Sequence, residues 1–263
     1  MSKGSQDVNA VGIAYDDVGS GAVVVLLHGY PFNRSMWKGQ VAVLRQNHRV
    51  IVPDLRGHGE SAIVPGPSTM ELIAGDVAGL LDSLDIAAAT IGGLSMGGYV
   101  ALAFCRLFSS RVRSLILAAT RAQGDNDEAK RNREVQATKA RQEGMKGIAD
   151  SLLPKLLTAD TVTKRPEIVK HLRGMMASTN PEGAAAVLEG MAIRPDQTSF
   201  LSQIVAPTLI LVGSEDVITP LADAQLMHRE IPGSRLEIIK GAGHVLNLEK
   251  PQEFNAAMMK FLG

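Results

Sequence analysis

Cysteine occurs once in this 263-residue chain and tryptophan once; the formal net charge is zero and aromatic residues are only 4% of the whole. Each shortage excludes something. A single cysteine, Cys105, cannot close an internal disulfide, and it falls in a stretch of helical periodicity where a small core hydrophobe is expected. Balanced charge, 27 Lys plus Arg against 27 Asp plus Glu, leaves no net field to attract nucleic acid or an anionic membrane, so neither partner is expected. No apolar run approaches the roughly 18 residues of a membrane span. Residues 1–10 are polar and carry no basic, apolar and cleavage-site pattern, which predicts a cytoplasmic setting. With 45% hydrophobic residues, the chain is long enough to bury a large core without staples.

What is present is an alternation of short apolar runs with helical periodicity. Residues 23–27, 50–52, 88–91, 115–117, 208–212 and 236–239 are continuous or nearly continuous in apolar or β-branched residues, the mark of strands buried on both faces of a mostly parallel sheet. A further strand around residues 11–15 would add an edge. The clearest helix opens at Ser68-Thr69-Met70-Glu71 with capping-box spacing and sets Ile73, Val77, Leu80, Leu81 and Leu84 on one face. Strand and helix alternate, so the expected fold is an open α/β sandwich with ligands at the carboxyl ends of the strands. Residues 121–206 break the rhythm: helical, charge-rich and without a β-rich run, they read as an inserted cap between core segments 1–120 and 207–263. The charged stretch 127–134 reads as a solvated helix face. Ile148, Leu152, Leu153, Leu156, Leu157, Met175, Met176 and Met191 would pack on the open top of the sheet.

Three residues carry the chemistry. Ser95 stands in Gly93-Leu94-Ser95-Met96-Gly97-Gly98, between an apolar strand and a helix, where small flanking residues let the chain turn sharply and project a hydroxyl. Asp216 follows the strand at 208–212, with Glu215 its nearest rival as the acid. His244, in Gly241-Ala242-Gly243-His244, follows the last strand. Serine, acid and histidine in this order supply a nucleophile, an orienting carboxylate and a base. Of the other histidines, His48, His171 and His228 read as surface residues, and His28 and His58 as turn and loop packing. None shows paired ligand spacing, so neither metal nor cofactor is expected. Trp37 is expected to anchor the loop after Tyr30 on the core.

Together with Leu27-His28-Gly29-Tyr30-Pro31, Asp54-Leu55-Arg56-Gly57-His58-Gly59-Glu60-Ser61 and residues 213–220, these motifs resemble the α/β-hydrolase superfamily over essentially the whole chain. The resemblance implies that fold. It also implies Ser95 as nucleophile, His244 as base and then acid, Asp216 as its orienting partner, and an oxyanion hole formed by the backbone N–H groups of Tyr30 and Met96. Serine at the elbow, where epoxide hydrolases and haloalkane dehalogenases carry aspartate, favours acyl transfer to water. The insertion has Phe200 as its aromatic content and no lid tyrosine. No acidic cluster in its apolar segments recommends a peptidase that binds a substrate amine.

The chain is most similar to small lidded esterases and to the 3-oxoadipate enol-lactonase branch, which Asn180-Pro181-Glu182-Gly183 also resembles. His28-Gly29-Tyr30-Pro31 resembles cofactor-free perhydrolases, a resemblance that implies peracid formation as a side reaction. The expected activity is hydrolysis of esters with short to medium acyl groups, with a lactone as the alternative substrate and a hydrolase-like ligand receptor as the non-enzymatic one. An anionic lactone would need a positive group, for which Arg34, Arg121, Arg173 and Arg194 are the candidates. Composition and periodicity leave the oligomeric state open.

Overall fold

The computed structural model describes residues 2–263; of the polar stretch 1–10, Met1 lies outside it. Eight strands are joined in one sheet: β1 (Ser2–Val8), β2 (Val11–Val18), β3 (Ala22–Leu27), β4 (His48–Pro53), β5 (Ala89–Leu94), β6 (Val112–Ala118), β7 (Thr208–Gly213) and β8 (Arg235–Ile239). Their order is β1-β2-β4-β3-β5-β6-β7-β8. β1 and β2 form an antiparallel hairpin, β2 runs antiparallel to β4, and every later pairing is parallel. The strand expected at residues 11–15 is therefore longer and lies one place inside the edge. The edge is β1, whose Ser-Lys-Gly-Ser-Gln-Asp-Val sequence has too little apolar content to announce a strand.

The continuous apolar runs of β5 and β7 follow from burial on both faces, all six residues of each being buried; the run at 236–239 does not, because β8 is the opposite edge of the sheet and only Ile239 of it is buried. Side chains alternate across the sheet and divide the core in two. Val25, Leu27, Ile51, Ile210 and Val212 point into one apolar cluster, and Val24, Leu26, Val50, Val52, Leu209 and Leu211 into the other. The first is covered by α2 (Met70–Ser83) and α3 (Met96–Leu107), and the second by α1 (Lys38–Leu44) and, towards the C-terminus, α11 (Pro251–Leu262). Trp37 is 1% exposed and its ring centroid lies 6.1 Å from that of Phe254, so it does fasten the loop after Tyr30 to the second core. Cys105 is buried and burial pushes its thiol pKa up to about 11.

Two local readings are corrected. Helix α2 is capped by Thr69, whose hydroxyl accepts the Leu72 N–H at 3.2 Å, and not by Ser68. Ser68 is instead buried and donates its N–H to the Ala186 carbonyl at 2.8 Å. His48 is 5% exposed, not a surface residue: it opens β4, and the turn at residues 19–21 covers its backbone so closely that a Cβ on Gly19 would sit 2.1 Å from the His48 carbonyl oxygen.

Between β6 and β7 come α4 (Asp127–Glu143), α5 (Met145–Leu156), α6 (Ala159–Lys164), α7 (Pro166–Ala177), α8 (Pro181–Ala192) and a 3-10 turn at Thr198–Gln203, with no strand. Ile148 and Met191 pack into the first cluster, and Leu153, Leu156, Leu157, Met175 and Met176 into the second. Helix α8 seats directly on the core: a Cβ on Gly183 would lie 1.9 Å from the Gly57 carbonyl oxygen, and one on Gly190 1.8 Å from that of Ser68. Asn180 caps α8 by accepting the Glu182 N–H at 2.9 Å. The Asn180-Pro181-Glu182-Gly183 motif is thus a helix start fitted to a glycine contact. After β7 come α9 (Leu221–Glu230) and α10 (Leu246–Glu249), the latter following the loop that carries His244. No helix among the described residues is long and apolar enough to cross a membrane.

Candidate active site

Ser95 occupies the sharp corner between β5 and α3 with φ 56° and ψ −114°, a conformation that L-residues adopt only when their surroundings impose it. Those surroundings are explicit. The Ser95 N–H donates to Ala118 O at 2.9 Å, and its carbonyl accepts from Gly98 N at 2.9 Å, Tyr99 N at 3.2 Å and the Thr120 hydroxyl at 2.8 Å. The corner also needs bare backbone: a Cβ on Gly93 would lie 2.0 Å from Gly97 O, and one on Gly97 2.2 Å from Leu27 O. These contacts account for both glycines that flank the serine.

Asp216 and His244 arrive from the carboxyl ends of β7 and β8. His244 Nδ1 lies 2.8 Å from Asp216 Oδ2, with the two residues 2% and 5% exposed. Asp216 Oδ1 accepts the N–H groups of Ile218 at 2.8 Å and Thr219 at 3.0 Å, and the Thr219 hydroxyl donates to Oδ2 at 2.7 Å. Burial alone would raise the Asp216 pKa; the hydrogen bond and charge of His244, with the Thr219 donors, outweigh it and hold the carboxyl below the ordinary range. An ionised carboxylate only accepts, so the proton on the shared hydrogen bond belongs to Nδ1 and Nε2 is left as the basic nitrogen. Glu215, the rival acid, is exposed. Thr219 was not legible as a site residue: a threonine three positions past an acid gives no sign of which atom it will reach.

Ser95 and His244 line one cavity of about 470 Å³ together with Tyr30, Tyr99, Arg121, Leu152, Leu156, Leu188 and Met191. Met96 is fully buried and opens α3, so its N–H is one of the first-turn donors that a helix cannot satisfy internally. Tyr30 lies in the loop after β3, where Gly29 O accepts the Phe32 N–H at 2.9 Å. Its phenol is buried without a hydrogen-bond partner among the described residues, and burial pushes its pKa up. His28 and His58 are structural, as expected: His28 Nε2 accepts the Leu55 N–H at 2.9 Å, and the two rings lie 5.2 Å apart.

The cationic candidates sort differently from the sequence reading. Arg34 is spent on Asp16, Asp54 and Glu60, Arg173 pairs with Asp150 on the surface, and Arg194 is held by Asp125 at 2.7 Å with its guanidinium 4.1 Å from the Tyr99 ring centre. Only Arg121 of the four lines the cavity, donating from Nη2 to Ile218 O at 2.8 Å. Arg133 and Lys155 line it too. Arg133 belongs to the stretch read as a solvated face, but it turns inward to an ion pair with Asp125. Among the described residues no three His, Cys, Asp or Glu side chains are grouped as a metal ion would require.

Residues 24–257 match the sequence model of the alpha/beta hydrolase family. The chain is 35% identical over 226 residues to 3-oxoadipate enol-lactonase 2 of Acinetobacter baylyi, covering 86% of this chain and 83% of that protein. Among solved structures it is similar to a thermophilic esterase from Thermogutta terrifontis, determined with malate bound, at TM-score 0.97 and 43% identity over 100% of this chain and 98% of that one. The enol-lactonase from Burkholderia xenovorans superposes with TM-score 0.93 at 33% identity, covering 98% and 99% of the two chains.

Proposed function

Because the chain belongs to the alpha/beta hydrolase family, we propose that it is a carboxylic-ester hydrolase acting through an acyl-enzyme on Ser95, with His244 as the base and Asp216 as its orienting acid. The observation that carries this reading is the 2.8 Å His244–Asp216 contact beside a cavity that Ser95 and His244 share. In the reaction, Ser95 Oγ attacks the ester carbonyl and its proton passes to His244 Nε2. The carbonyl oxygen takes up the negative charge between the N–H groups of Tyr30 and Met96. Collapse expels the alcohol, which leaves with the proton from Nε2. Water then gives a proton to the same nitrogen, attacks the acyl carbon and releases the acid, returning the proton to Ser95. Residues 121–206 act as a cap that closes the acyl pocket with Leu152, Leu156, Leu188 and Met191.

Purified Ser95→Ala and His244→Ala proteins are expected to lose about a million-fold in turnover of p-nitrophenyl acetate, and Asp216→Ala about ten-thousand-fold. Near-normal turnover by either of the first two would overturn the assignment, and steady multiple turnover by the parent protein excludes the receptor reading.

One observation favours a second substrate class. The cavity is lined by Arg121, Arg133 and Lys155 and by one acid, Asp125; with Asp223 3.8 Å from Arg121 counted as well, positive charge still exceeds negative, which suits a carboxylate on the substrate. A relative that is an enol-lactonase and an esterase solved with malate, a dicarboxylate, support the same direction. Neutral p-nitrophenyl esters of increasing chain length, run beside lactones with and without a free carboxylate, separate the readings by kcat/KM.

A further inference from the structure

Glu249 is a buried carboxylate outside the proposed catalytic constellation. It is 4% exposed, and both of its oxygens are used. Oε2 accepts the N–H of Gly243, the residue before His244, at 2.6 Å. Oε1 accepts the N–H of Thr158 at 2.8 Å and its hydroxyl at 3.0 Å. Thr158 belongs to the turn between α5 and α6, so one side chain joins the loop that carries the base to the helices that close the cavity.

The backbone repeats the connection. His244 N–H donates to Leu156 O at 3.0 Å and Val245 N–H to the same oxygen at 3.3 Å. The fit leaves no room for a side chain between them: a Cβ on Gly243 would sit 3.0 Å from both Glu249 Oε2 and Leu156 O. Leu156, whose carbonyl holds His244 from behind, also lines the substrate cavity.

We infer that Glu249 is a positioning residue for His244, a brace that transmits the place of the 156–158 turn to the imidazole and so ties acyl-pocket geometry to proton transfer. The inference rests on His244 being the base. Asp216 fixes the ring from Nδ1, but a ring held at one nitrogen can still pivot about Cα, and the Glu249 and Leu156 acceptors fix that pivot. Charge-assisted hydrogen bonds of this kind are short and directional. They are well suited to hold Nε2 within the fraction of an ångström that proton transfer requires, since a misplacement of about 1 Å can reduce turnover by about a hundredfold.

The test compares Glu249→Ala, Glu249→Gln and His244→Ala with the parent protein on p-nitrophenyl acetate, with folding checked by thermal melts. Glu249→Ala is expected to lose about 10- to 100-fold in kcat at a KM within about threefold, and to broaden or shift the downfield proton NMR signal of the His244 Nδ1–H. Glutamine offers a single acceptor oxygen for two sides, so Glu249→Gln is expected to fall between Ala and the parent. A folded Glu249→Ala protein with parental kcat and an unmoved proton signal overturns the proposal. Should the Ala variant not fold, a Gln variant with kcat within about twofold of the parent overturns it. His244→Ala separates the two levels: if it stays active the triad reading itself fails, whereas an inert His244→Ala beside a fully active Glu249→Ala removes only the brace.

Discussion

The Thr219 hydroxyl donates at 2.7 Å to the same Asp216 oxygen that His244 Nδ1 reaches at 2.8 Å. Replacing Thr219 by valine keeps the shape and the backbone N–H but deletes that donor, leaving the carboxylate one partner short. Thr219 does not line the cavity. We therefore expect kcat to fall about tenfold, the equivalent of one hydrogen bond to a charged group, with KM unchanged. A rise in KM alone would show that Thr219 shapes binding and not the acid.

Helix α8 should tolerate no side chain at residue 183. In Gly183→Ala the new methyl would meet the Gly57 carbonyl oxygen at 1.9 Å, and because the obstacle is backbone, the loss should be about 1–3 kcal/mol or more. Gly174→Ala provides the contrast. It lies within α7 with nothing near its would-be Cβ, so the better helix former should stabilise by about 0.5–1 kcal/mol. Urea titrations of both variants check the opposite signs.

Acid should weaken the fold through two histidines before most carboxylates titrate. Burial lowers the His28 pKa to about 4, and burial together with the neighbouring His28 lowers that of His58 to about 3. Both lie below the ordinary histidine value of 6.5, so the unfolded chain binds more protons in this range and stability must drop as pH falls. It is fully present above about 6.5 and is lost toward the two depressed values, at about 1.4 kcal/mol per pH unit for each ring. Denaturant melts at pH 6 and pH 5 should differ by about 2 kcal/mol; a difference of only about 1 kcal/mol would show that one ring is already charged at pH 6, and equal stabilities that both are.

Arg133 should decide between neutral and anionic substrates. Arg133→Met keeps most of the length but removes the charge, and Arg194 remains to hold Asp125. A loss of about tenfold or more in kcat/KM for carboxylate-bearing lactones, with neutral esters within about threefold, is the expected outcome. Equal effects on both classes would show that Arg133 only shapes the cavity.

How much of this was legible in the sequence depended on whether burial left a pattern. Strands β3 to β7 were readable because a strand covered on both faces must be apolar throughout; β1 was not, because a polar hairpin strand at the sheet edge has no such requirement. The serine corner was readable from Gly93 and Gly97, since backbone crowding leaves no other residue. Arg133 was hidden for the opposite reason: α4 has only Ala137 and Ala140 buried, and so polar a helix has no apolar stripe to reveal which charges turn inward. Glu249 and Thr219 were hidden because their partners are loop atoms whose approach only the assembled chain defines.

The central claim is that an acyl group resides on Ser95 during turnover. Acid quenching of the protein in mid-reaction with p-nitrophenyl acetate, followed by peptide mass mapping, tests it directly. The account predicts a single acetyl group on the peptide that contains Ser95, absent from Ser95→Ala. Rapid ester turnover with no acetylated peptide, or an acetyl group on another residue, would contradict it.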